Sequence, residues 1–543
     1  MNRRQAVAVI VLVVALVAGT WTVARVQETS DNTYANIERF IQVLTKVRDN
    51  YVEPVSSEKL MDSAIRGMLR TLDPYSQYLD KEEAERLDTT THGSFGGIGI
   101  SIGVRDGWVT VIAPIEGTPA WKAGIQGGDR IIKIDGASTE GLSLDDAMKR
   151  MRGEKGTKVL LTIFREGREK PLDFPIIRDI IQIKSVPFAG VLSNGVGYIR
   201  LSSFSERSRE EMDAAFAKID KQHPRGVILD LRYNPGGLLS QAVEIAEEFT
   251  PRGKRIVYTR GRDPQQNKDF LSTADHVHDD YPIVILVNQW TASASEIVSG
   301  AMQDLDLGLV VGKTSFGKGL VQTVIPLTRS VRGPKLKLTT AKYYTPSGRC
   351  IQKDEQLKDG ALADEEDLDP GTPAEGLVPK KPVPEYHTEM GRLVYGGGGI
   401  TPDVEIAEIR VPRLIEDLEA KQVYFKYAVK YAARHKDPPV NNYAVTSAMR
   451  DEVLQLAKDE KIEIHPDSLA AAQRFVDLGI RRELGRRYGG EEQAYHITLE
   501  EDEQVKAASA LFDKAPTLPK LLALASEMQK AKLSQAETAK AVR

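Results

Sequence analysis

The chain has 543 residues, enough for about three to four domains at roughly 150 residues per domain. Its 73 Lys and Arg residues nearly balance 77 Asp and Glu residues, for a net charge of −4. No positive footprint points to nucleic acid, so no nucleic-acid partner is predicted. Cys350 is the sole cysteine, which excludes an internal disulfide and a cysteine-rich metal site.

The N-terminus carries a candidate membrane segment. Arg3 and Arg4 precede an uncharged, mostly apolar run from residue 6 to residue 24, and Arg25 closes it. Such a run is long enough to span a bilayer with its positive end inside. A cleaved signal peptide is the alternative, although its apolar region is usually shorter and no clear A-x-A site follows. An uncleaved anchor is favoured.

Helical spacing marks the region that follows. YANIERFIQVLTKVRDNYV and SEKLMDSAIRGMLRTL place apolar residues three and four positions apart, which predicts helices. From Gly93 the chain changes to short strands, GSFGGIGISIG, WVTVIAPI, DRIIKIDG and KVLLTIFREG. SLDDAMKRMRG places Leu144, Ala147, Met148 and Met151 on one helical face. These elements predict a compact module.

Residues 180–350 alternate between strands and helices. GVGYIRLSSF, GVILDLR, PIVILVN and LGLVVGK predict strands, and SERSREEMDAAFAKID, LSQAVEIAEEF and the residues after TASASEI predict helices. This rhythm predicts an α/β core with helices packed on a sheet.

The remainder is a polar stretch and a helical end. Residues 353–399 are rich in charge, proline and glycine, finish in GGGG and are predicted to form a mobile insertion. Beyond residue 411 the apolar spacing is helical again, with Tyr424, Tyr427, Ala428 and Tyr431 on one face.

The segment TASASEI contains two serines, Ser293 and Ser295, and a structural explanation must be considered first. Ser293 with Glu296 three residues later has the spacing of a capping box, in which the serine only closes a helix end. The apolar IVSGAM behind it can run as a buried helix. This pattern alone does not separate a cap from a nucleophile.

Several motifs in sequence order resemble the C-terminal processing peptidases, tail-specific serine proteases that carry a PDZ domain within the protease chain. The motifs are LDPYSQYL, GSFGGIGI, GTPAWKAGIQGGDRIIKIDG, DLRYNPGG, TASASEIVSGAMQD, GKTSFGKGLVQT and YYTPSGRCIQ. The resemblance covers roughly residues 35–406, and the motifs in combination are far more specific than any one of them.

The resemblance implies an α/β protease core of crotonase-like type with an inserted PDZ domain. The expected segments are residues 1–27 as a signal anchor or signal peptide, 28–92 as an N-terminal helical region, 93–178 as the PDZ domain, 179–410 as the serine peptidase core with the insertion 353–399, and 411–543 as a C-terminal helical region.

Site residues follow from the same motifs, position by position. The middle serine of the family's S-A-S-A-S-E pattern is the nucleophile, here Ser293, and the lysine of its F-G-K-G is Lys318. The first serine of that pattern is Thr291 here, a departure that leaves the nucleophile unchanged. Gln322 matches the polar residue that completes the triad in some members. Asp304 matches an acidic residue implicated in others.

The chemistry of a serine nucleophile agrees with this assignment. The hydroxyl needs a base to take its proton, and lysine serves as one when burial lowers its pKa enough to make it neutral. Glycines and apolar residues around Lys318 permit such burial. His276 and His278 lie in the polar stretch STADHVHDDY, which is typical of a solvated loop. We therefore expect Ser293 to react and Ser295 to be a bystander.

Two backbone segments can stabilise the oxyanion of a tetrahedral intermediate. A helix start aims free N–H groups outward, and the amide of Ala294 is next to the nucleophile. In NPGG, Gly236 and Gly237 let the backbone approach a ligand closely. Of these two glycines, Gly237 is chosen as the donor.

For the PDZ module, the resemblance implies capture of a peptide C-terminus. Backbone amides of a glycine loop hold the carboxylate, and the peptide adds a strand to a sheet edge. Gly97, Ile98 and Gly99 match that loop. The alternative is that these glycines only form a tight turn.

The sequence thus predicts a serine endopeptidase, without metal or organic cofactor, that recognises protein C-termini and cleaves by Ser–Lys acyl-enzyme chemistry. The main alternative is a non-catalytic PDZ scaffold that kept the fold, and a different acyl-transfer enzyme on the same core is a third. The expected partners are protein substrates and, at the N-terminus, a membrane. An adaptor protein and a homo-oligomer are left open. The expected location is the inner membrane, facing the periplasm or another extracytoplasmic space, or the periplasm after signal cleavage.

Overall fold

The computed structural model describes residues 33–274, 278–330, 333–353, 383–439 and 443–541. The described chain separates into two compact units, of which the first comprises residues 33–80, 324–330 and 333–338 and the second comprises residues 81–274, 278–323, 339–353, 383–439 and 443–541. The predicted membrane segment 6–24 lies outside the described residues. Within the described residues, no helix is both long and apolar enough to cross a bilayer.

The first unit contains two helices and a short strand. A helix over residues 33–50 is followed by the helix Ser57–Arg70, whose start is capped by Ser56 accepting a hydrogen bond from the Lys59 N–H at 3.1 Å. The strand Gln77–Leu79 pairs antiparallel with residues 335–337. This strand lies in a region whose apolar spacing predicted helices, and it belongs to the motif LDPYSQYL.

A six-stranded sheet, here called the central sheet, forms the middle of the second unit. Its strands in spatial order are Phe188–Val191, Gly197–Arg200, Val227–Asp230, Ile283–Val287, Leu309–Gly312 and Val404–Glu405. The first pair is antiparallel and the other neighbours are parallel. Parallel neighbours require crossover connections, and the helices in them are Ser208–Asp220, Leu239–Glu247 and Ala294–Asp304. The predicted strand–helix rhythm is confirmed.

Both faces of the central sheet are buried. Successive residues of a strand point to opposite faces: Leu229 packs in the core with the three crossover helices, and Ile228 belongs to the core on the other face. That second core is completed by Leu511 and Phe512 and by other apolar residues of the helices Glu503–Lys514 and Leu518–Ala541. The C-terminal end of the chain therefore supplies one layer of the α/β core.

A second sheet forms the module expected as the PDZ domain. Its strands in spatial order are Ile100–Arg105, Trp108–Pro114, Arg130–Ile134, Lys158–Phe164 and Leu172–Ile177, with Ala137–Ser138 paired to Arg130–Ile134 and with helices Pro119–Lys122 and Leu144–Met151. The strand Ser94–Gly97 pairs with Asp179–Gln182 where the chain enters and leaves the module. The helix Lys81–His92 precedes it.

Smaller strands, two of which continue from one unit into the other, complete the described fold and correct one expectation. They are Arg255–Gly261, Lys268–Leu271, Leu320–Pro326, Lys335–Tyr344, Glu385–His387 and Leu393–Tyr395, with a short 3-10 helix at Pro264–Gln266. The last two form a hairpin inside the predicted mobile insertion, and Gly399 follows in an ordered turn with φ of 85°. Glycine-rich composition suggested mobility here, but these glycines adopt backbone angles that the packing requires. Residues 354–382 lie outside the described residues.

The remaining C-terminal helices have a core of their own. They are Arg413–Ala420, Val423–Arg434, Ser447–Asp459 and Pro466–Glu501, the last of which is interrupted at Gly490. Tyr424, Tyr427 and Ala428 are buried in this core, and Tyr431 packs partly against it. The helical face predicted from their spacing is confirmed.

Candidate active site

Three loops meet at the carboxyl ends of three neighbouring strands of the central sheet. Residues 234–237 (the glycine loop) follow Val227–Asp230, residues 288–293 (the serine turn) follow Ile283–Val287, and residues 315–319 (the lysine loop) follow Leu309–Gly312. In open α/β sheets, this edge is where ligands bind. The topology therefore gathers the predicted site residues at one place.

Ser293 has a strained backbone at the start of the helix Ala294–Asp304. Its φ is 56° and its ψ is −114°, a region that non-glycine residues seldom occupy and that costs about 1–3 kcal/mol. The Ser293 side chain is half-buried. Its carbonyl accepts hydrogen bonds from the N–H groups of Glu296 and Ile297 at 2.8 and 3.0 Å. The serine thus stands at a sharp strand-to-helix turn, the arrangement that exposes a nucleophile in hydrolases.

The buried carboxylate of Glu296 links the serine turn to the lysine loop. It accepts hydrogen bonds from the N–H groups of Ser293 at 2.8 Å, Gly317 at 2.7 Å and Lys318 at 2.9 Å, and from the Ser315 hydroxyl at 2.5 Å. Burial raises the pKa of Glu296 to about 7, although these hydrogen bonds act in the opposite direction. One side chain therefore holds the backbones of both predicted catalytic residues.

The hydroxyl of Tyr343 forms a second link between the same two residues. It lies 2.6 Å from the Lys318 carbonyl oxygen and 3.1 Å from the Ser293 carbonyl oxygen, and these two acceptors share its single proton. Tyr343 is almost fully buried, so its ring cannot move without disturbing the core. Ser293 and Lys318 are therefore held close together from two sides.

Lys318 and Gln322 lie on one continuous segment. Lys318 is half-buried, and Gln322 belongs to the following strand, Leu320–Pro326. The Gln322 amide donates to the Thr339 hydroxyl at 3.3 Å. The structure brings Lys318 to the serine turn and fixes Gln322 on the neighbouring strand.

The glycine loop lies against the serine turn. A Cβ atom on Gly236 would lie 2.8 Å from the Ser293 Cβ and 2.9 Å from the Ala294 nitrogen, so only glycine fits. The Gly236 N–H donates to the Asn234 side chain at 2.9 Å. Among the described residues, the N–H groups of Gly237 and Ala294 meet no acceptor. In the described residues, one backbone donor without an acceptor thus follows the serine directly, and another follows the glycine that packs on it.

The other hydroxyls of the motif are committed to the structure. Ser295 is fully buried and donates to the Asn234 carbonyl at 3.1 Å. Thr291 is also buried and donates to the Leu231 carbonyl at 2.9 Å. Ser295 thus ties the start of the helix Ala294–Asp304 to the glycine loop, and Thr291 ties the serine turn to Leu231 just after a central strand.

Asp304 and His278, an acid and a base that the sequence analysis considered, both lie away from Ser293. Asp304 is at the opposite end of the helix that begins after Ser293, where its carboxylate pairs with Arg349 at 2.7 Å and accepts the Ser347 N–H at 3.0 Å. The structure does not bring Asp304 to the serine, because about three helical turns separate them. His278 pairs with Glu248 at 3.1 Å, whereas His276 lies outside the described residues.

The predicted carboxylate loop of the PDZ module is tightly packed. Gly99 has φ of 78°, and a Cβ atom there would lie 2.4 Å from the Thr118 side chain. The buried Ile98 side chain anchors the loop in the module core, and Gly97 pairs with Asp179. Among the described residues, the N–H groups of Ile98 and Gly99 have no acceptor. The loop precedes Ile100–Arg105, a strand at the edge of its sheet.

Sequence reasoning missed three residues that support the site. Glu296 was interpreted only as part of a capping box, Tyr343 opens the motif YYTPSGRCIQ but was given no role in the site, and Gly399 was placed in a mobile insertion. The structure packs Gly399 so closely on the lysine loop that a Cβ atom there would lie 2.5 Å from the Ser315 carbonyl oxygen. An acidic residue inside an otherwise apolar helix was the available signal for Glu296, since buried carboxylates need several donors.

The fold and the site define a serine peptidase with a PDZ module, and comparisons with known proteins agree. Residues 195–362 match the model of peptidase family S41, residues 110–165 match the PDZ domain, and residues 17–83 match the N-terminal domain of the activating protease CtpB.

The chain aligns with curated relatives over most of the length of each relative. The chain is 44% identical to the carboxy-terminal-processing protease of Bartonella bacilliformis over 59% of this chain and 74% of the relative. It is 36% identical to the carboxy-terminal processing protease CtpA of Bacillus subtilis, over 65% and 76%. A solved photosystem II D1 C-terminal processing protease is 30% identical, covers 59% of this chain and 90% of its own, and has a TM-score of 0.33. The chain belongs to peptidase family S41, the carboxy-terminal processing proteases, and is a serine-type endopeptidase.

Proposed function

We propose that this enzyme cleaves proteins near their C-termini through a Ser293–Lys318 dyad and an acyl-enzyme intermediate. The observation that carries the proposal is the double link made by Glu296 and Tyr343, each of which binds the backbone of both dyad residues. The strained backbone of Ser293 supports it further, because strain persists only where the surroundings enforce it.

In the proposed reaction, the neutral Lys318 amine accepts the Ser293 hydroxyl proton while the oxygen attacks the scissile carbonyl carbon. The tetrahedral intermediate collapses as the C–N bond breaks, and the Lys318 ammonium returns the proton to the leaving amine. Lys318 then activates a water molecule that hydrolyses the acyl-enzyme. Gln322 supports the lysine as an orienting group on the adjoining strand.

The N–H groups of Gly237 and Ala294 are proposed as the oxyanion donors. Ala294 follows Ser293 directly, Gly237 follows Gly236, which packs on the serine turn, and neither N–H has an acceptor among the described residues. A preorganised donor of this kind contributes on the order of 10²–10³ to kcat. Gly236 keeps the two segments in contact, because any side chain there would collide with the serine turn.

Substrate capture is proposed for the PDZ module. A C-terminal carboxylate would accept hydrogen bonds from Ile98 and Gly99 in the loop that begins at Gly97, and the peptide would pair with the edge strand Ile100–Arg105. The proposed partners are therefore protein substrates with free C-termini.

Two coarser features are proposed with the activity. The mostly parallel central sheet, covered by helices on both faces, supports a core of crotonase-like type. The apolar run 6–24 behind Arg3 and Arg4 supports an anchor that holds the enzyme at the inner membrane, facing an extracytoplasmic space, with signal cleavage as the alternative.

The test is covalent labelling of the folded protein with a fluorophosphonate, followed by mapping of the modified peptide, alongside cleavage of an unfolded protein substrate. We expect one label, on Ser293, and loss of cleavage in proportion to labelling. Cleavage that survives complete labelling, or a label on another serine, would overturn the assignment. If the folded protein is neither labelled nor able to cleave the substrate, the scaffold alternative is favoured.

A further inference from the structure

A buried arginine connects the glycine loop to the C-terminal helices. The guanidinium of Arg232 donates to the Asp230 carboxylate at 2.6 Å, to the Asp502 carboxylate at 2.8 Å and to the Gln504 side-chain oxygen at 2.7 Å. The side chain of Arg232 is only 10% exposed. Its fork of donors is therefore divided between the end of a central strand and the start of the helix Glu503–Lys514.

Arg232 stands immediately before the residues that touch the serine turn. The Tyr233 N–H donates to the Asn288 side chain at 3.0 Å, and the Asn234 carbonyl accepts the Ala292 N–H at 3.0 Å. Gly237 lies three residues after Asn234. A shift of Arg232 would therefore move the segment that presents the proposed Gly237 donor.

Charge balance makes the C-terminal partner essential to that position. Asp230 is fully buried and pairs with both Arg200, at 2.9 Å, and Arg232. The two arginines hold the pKa of Asp230 down at about 2, against the effect of burial. With Asp502 present, two cations face two carboxylates. Without it, a buried cation lacks a counter-charge, which a protein interior tolerates poorly.

We propose that Asp502 and Gln504 are positioning residues for the oxyanion-binding loop, acting through Arg232. The proposal rests on the function proposed for Gly237. Both residues lie beyond residues 195–362, the part of the chain that matches the peptidase family model. The C-terminal region of this chain would thus contribute to transition-state stabilisation although it touches no reacting atom.

Asp502→Asn is the decisive variant. Asp502 also caps its helix by accepting the N–H groups of Gln504 and Val505 at 2.9 and 3.0 Å, and asparagine caps a helix about as well. The variant therefore removes the charge opposite Arg232 and keeps the helix start. We expect kcat per titrated active site to fall about tenfold, with KM changed by less than about twofold, because only the transition state needs the oxyanion donors.

The matched control is Asp513→Asn. Asp513 lies on the same helix and pairs with Arg225 of the core at 2.5 Å, so this variant breaks another link between the same parts. We expect an unchanged kcat. Inhibition by a peptidyl boronic acid, which mimics the tetrahedral intermediate, should weaken about tenfold in Asp502→Asn only. Equal effects of the two variants on kcat and on inhibition would mean a merely structural role and would overturn the proposal.

A compensating change supplies an independent outcome. Gln504→Glu in the Asp502→Asn background restores one carboxylate beside Arg232, and we expect it to recover most of the lost kcat. Failure to recover any activity in a folded double variant would contradict a role exerted through Arg232. Wild-type enzyme and Ser293→Ala are measured in parallel. An inactive wild type would refute the proposed function itself, whereas an active wild type with an unaffected Asp502→Asn refutes only this inference.

Discussion

Ser293 and Ser295 are separated by one residue but have opposite environments. Ser293 is half-buried on a strained turn, whereas Ser295 is fully buried and donates to the Asn234 carbonyl. We expect Ser293→Ala to reduce cleavage at least about a thousandfold. Ser295→Ala should retain most activity and lose about 1 kcal/mol of stability, since it removes one hydrogen bond. Initial rates and thermal unfolding of both variants test this, and an inactive but folded Ser295→Ala would contradict the choice of nucleophile.

The proposed base gives a sharper test at a single atom. Arginine fills similar space to lysine but stays charged at every accessible pH. Lys318→Arg should therefore be as inactive as Lys318→Ala. In the wild type, kcat/KM should rise with pH as Lys318 loses its proton and then level off. Gln322→Ala should cost less than either lysine change. Near wild-type turnover in Lys318→Arg would remove lysine as the base.

Glu296 predicts a pH dependence of stability. Its folded-state pKa of about 7 lies above its ordinary value of 4.5. Between these two pH values, the folded protein keeps a proton that the unfolded chain has released. The free energy of unfolding therefore falls as pH rises from about 4.5 to 7, by about 3 kcal/mol for this group. Glu296→Gln should flatten this slope in denaturant titrations.

The same variant should also impair catalysis. The new side-chain amide nitrogen would face N–H groups where a carboxylate oxygen of Glu296 now accepts them, which loosens the lysine loop. We expect kcat to fall at least about tenfold. Ser315→Ala, which removes one of the four donors, is the control and should cost less. An unchanged pH slope and unchanged kcat in Glu296→Gln would show that the carboxylate does not connect the two loops.

At the scale of elements, the carboxylate loop of the PDZ module is the clearest target. A Cβ atom on Gly99 would press on Thr118. Gly107 has nearly the same φ of 77°, but a Cβ atom there would meet no other atom within 4 Å. Gly99→Ala should weaken binding of a peptide with a free C-terminus at least about tenfold, and Gly107→Ala, which shares the backbone strain, should not. Bulkier residues at Gly97 should act like the Gly99 change.

The corresponding peptide amide is the second probe for this loop. Wild-type protein should bind the acid more tightly, because only the carboxylate carries the charge that the free N–H groups attract. Cleavage of a short internal peptide should be little changed in Gly99→Ala. Equal affinities of the acid and the amide would contradict carboxylate capture.

The elements differ in how well the sequence predicts them. The strands Val227–Asp230 and Ile283–Val287 were predictable because each is a short, continuous run of mostly apolar residues that is buried along its whole length. The helix Ser208–Asp220 was predictable because its buried residues recur three and four positions apart. The packing of Phe512 beside Gly226 was not, since an amphipathic helix shows that it has a partner but not which one. Glu296 and Tyr343 were missed for the same reason, because their partners lie in another loop.

At the scale of the whole molecule, the anchor proposed for residues 6–24 gives a prediction about where the enzyme is found. If residues 6–24 remain as an anchor, the mature protein should begin at its own first residue and sediment with membranes. Alkaline carbonate should fail to extract it, because it removes only peripheral proteins while the apolar span stays in hydrocarbon. A mature N-terminus near residues 25–30 would establish signal cleavage instead.

The closure of the central sheet by the last helices also bears on synthesis. Arg225, beside the strand Val227–Asp230, pairs with a residue 288 positions later. At translation rates of 5–20 residues per second, that interval lasts about 15–60 s. During it, Ile228 and Leu286 have no covering layer, and such long-range closure is slow even after release. A nascent chain that already contains Ser293 and Lys318 therefore lacks the Arg232 anchor. The contacts that position the glycine loop therefore form only after the residues of the proposed dyad have been synthesised.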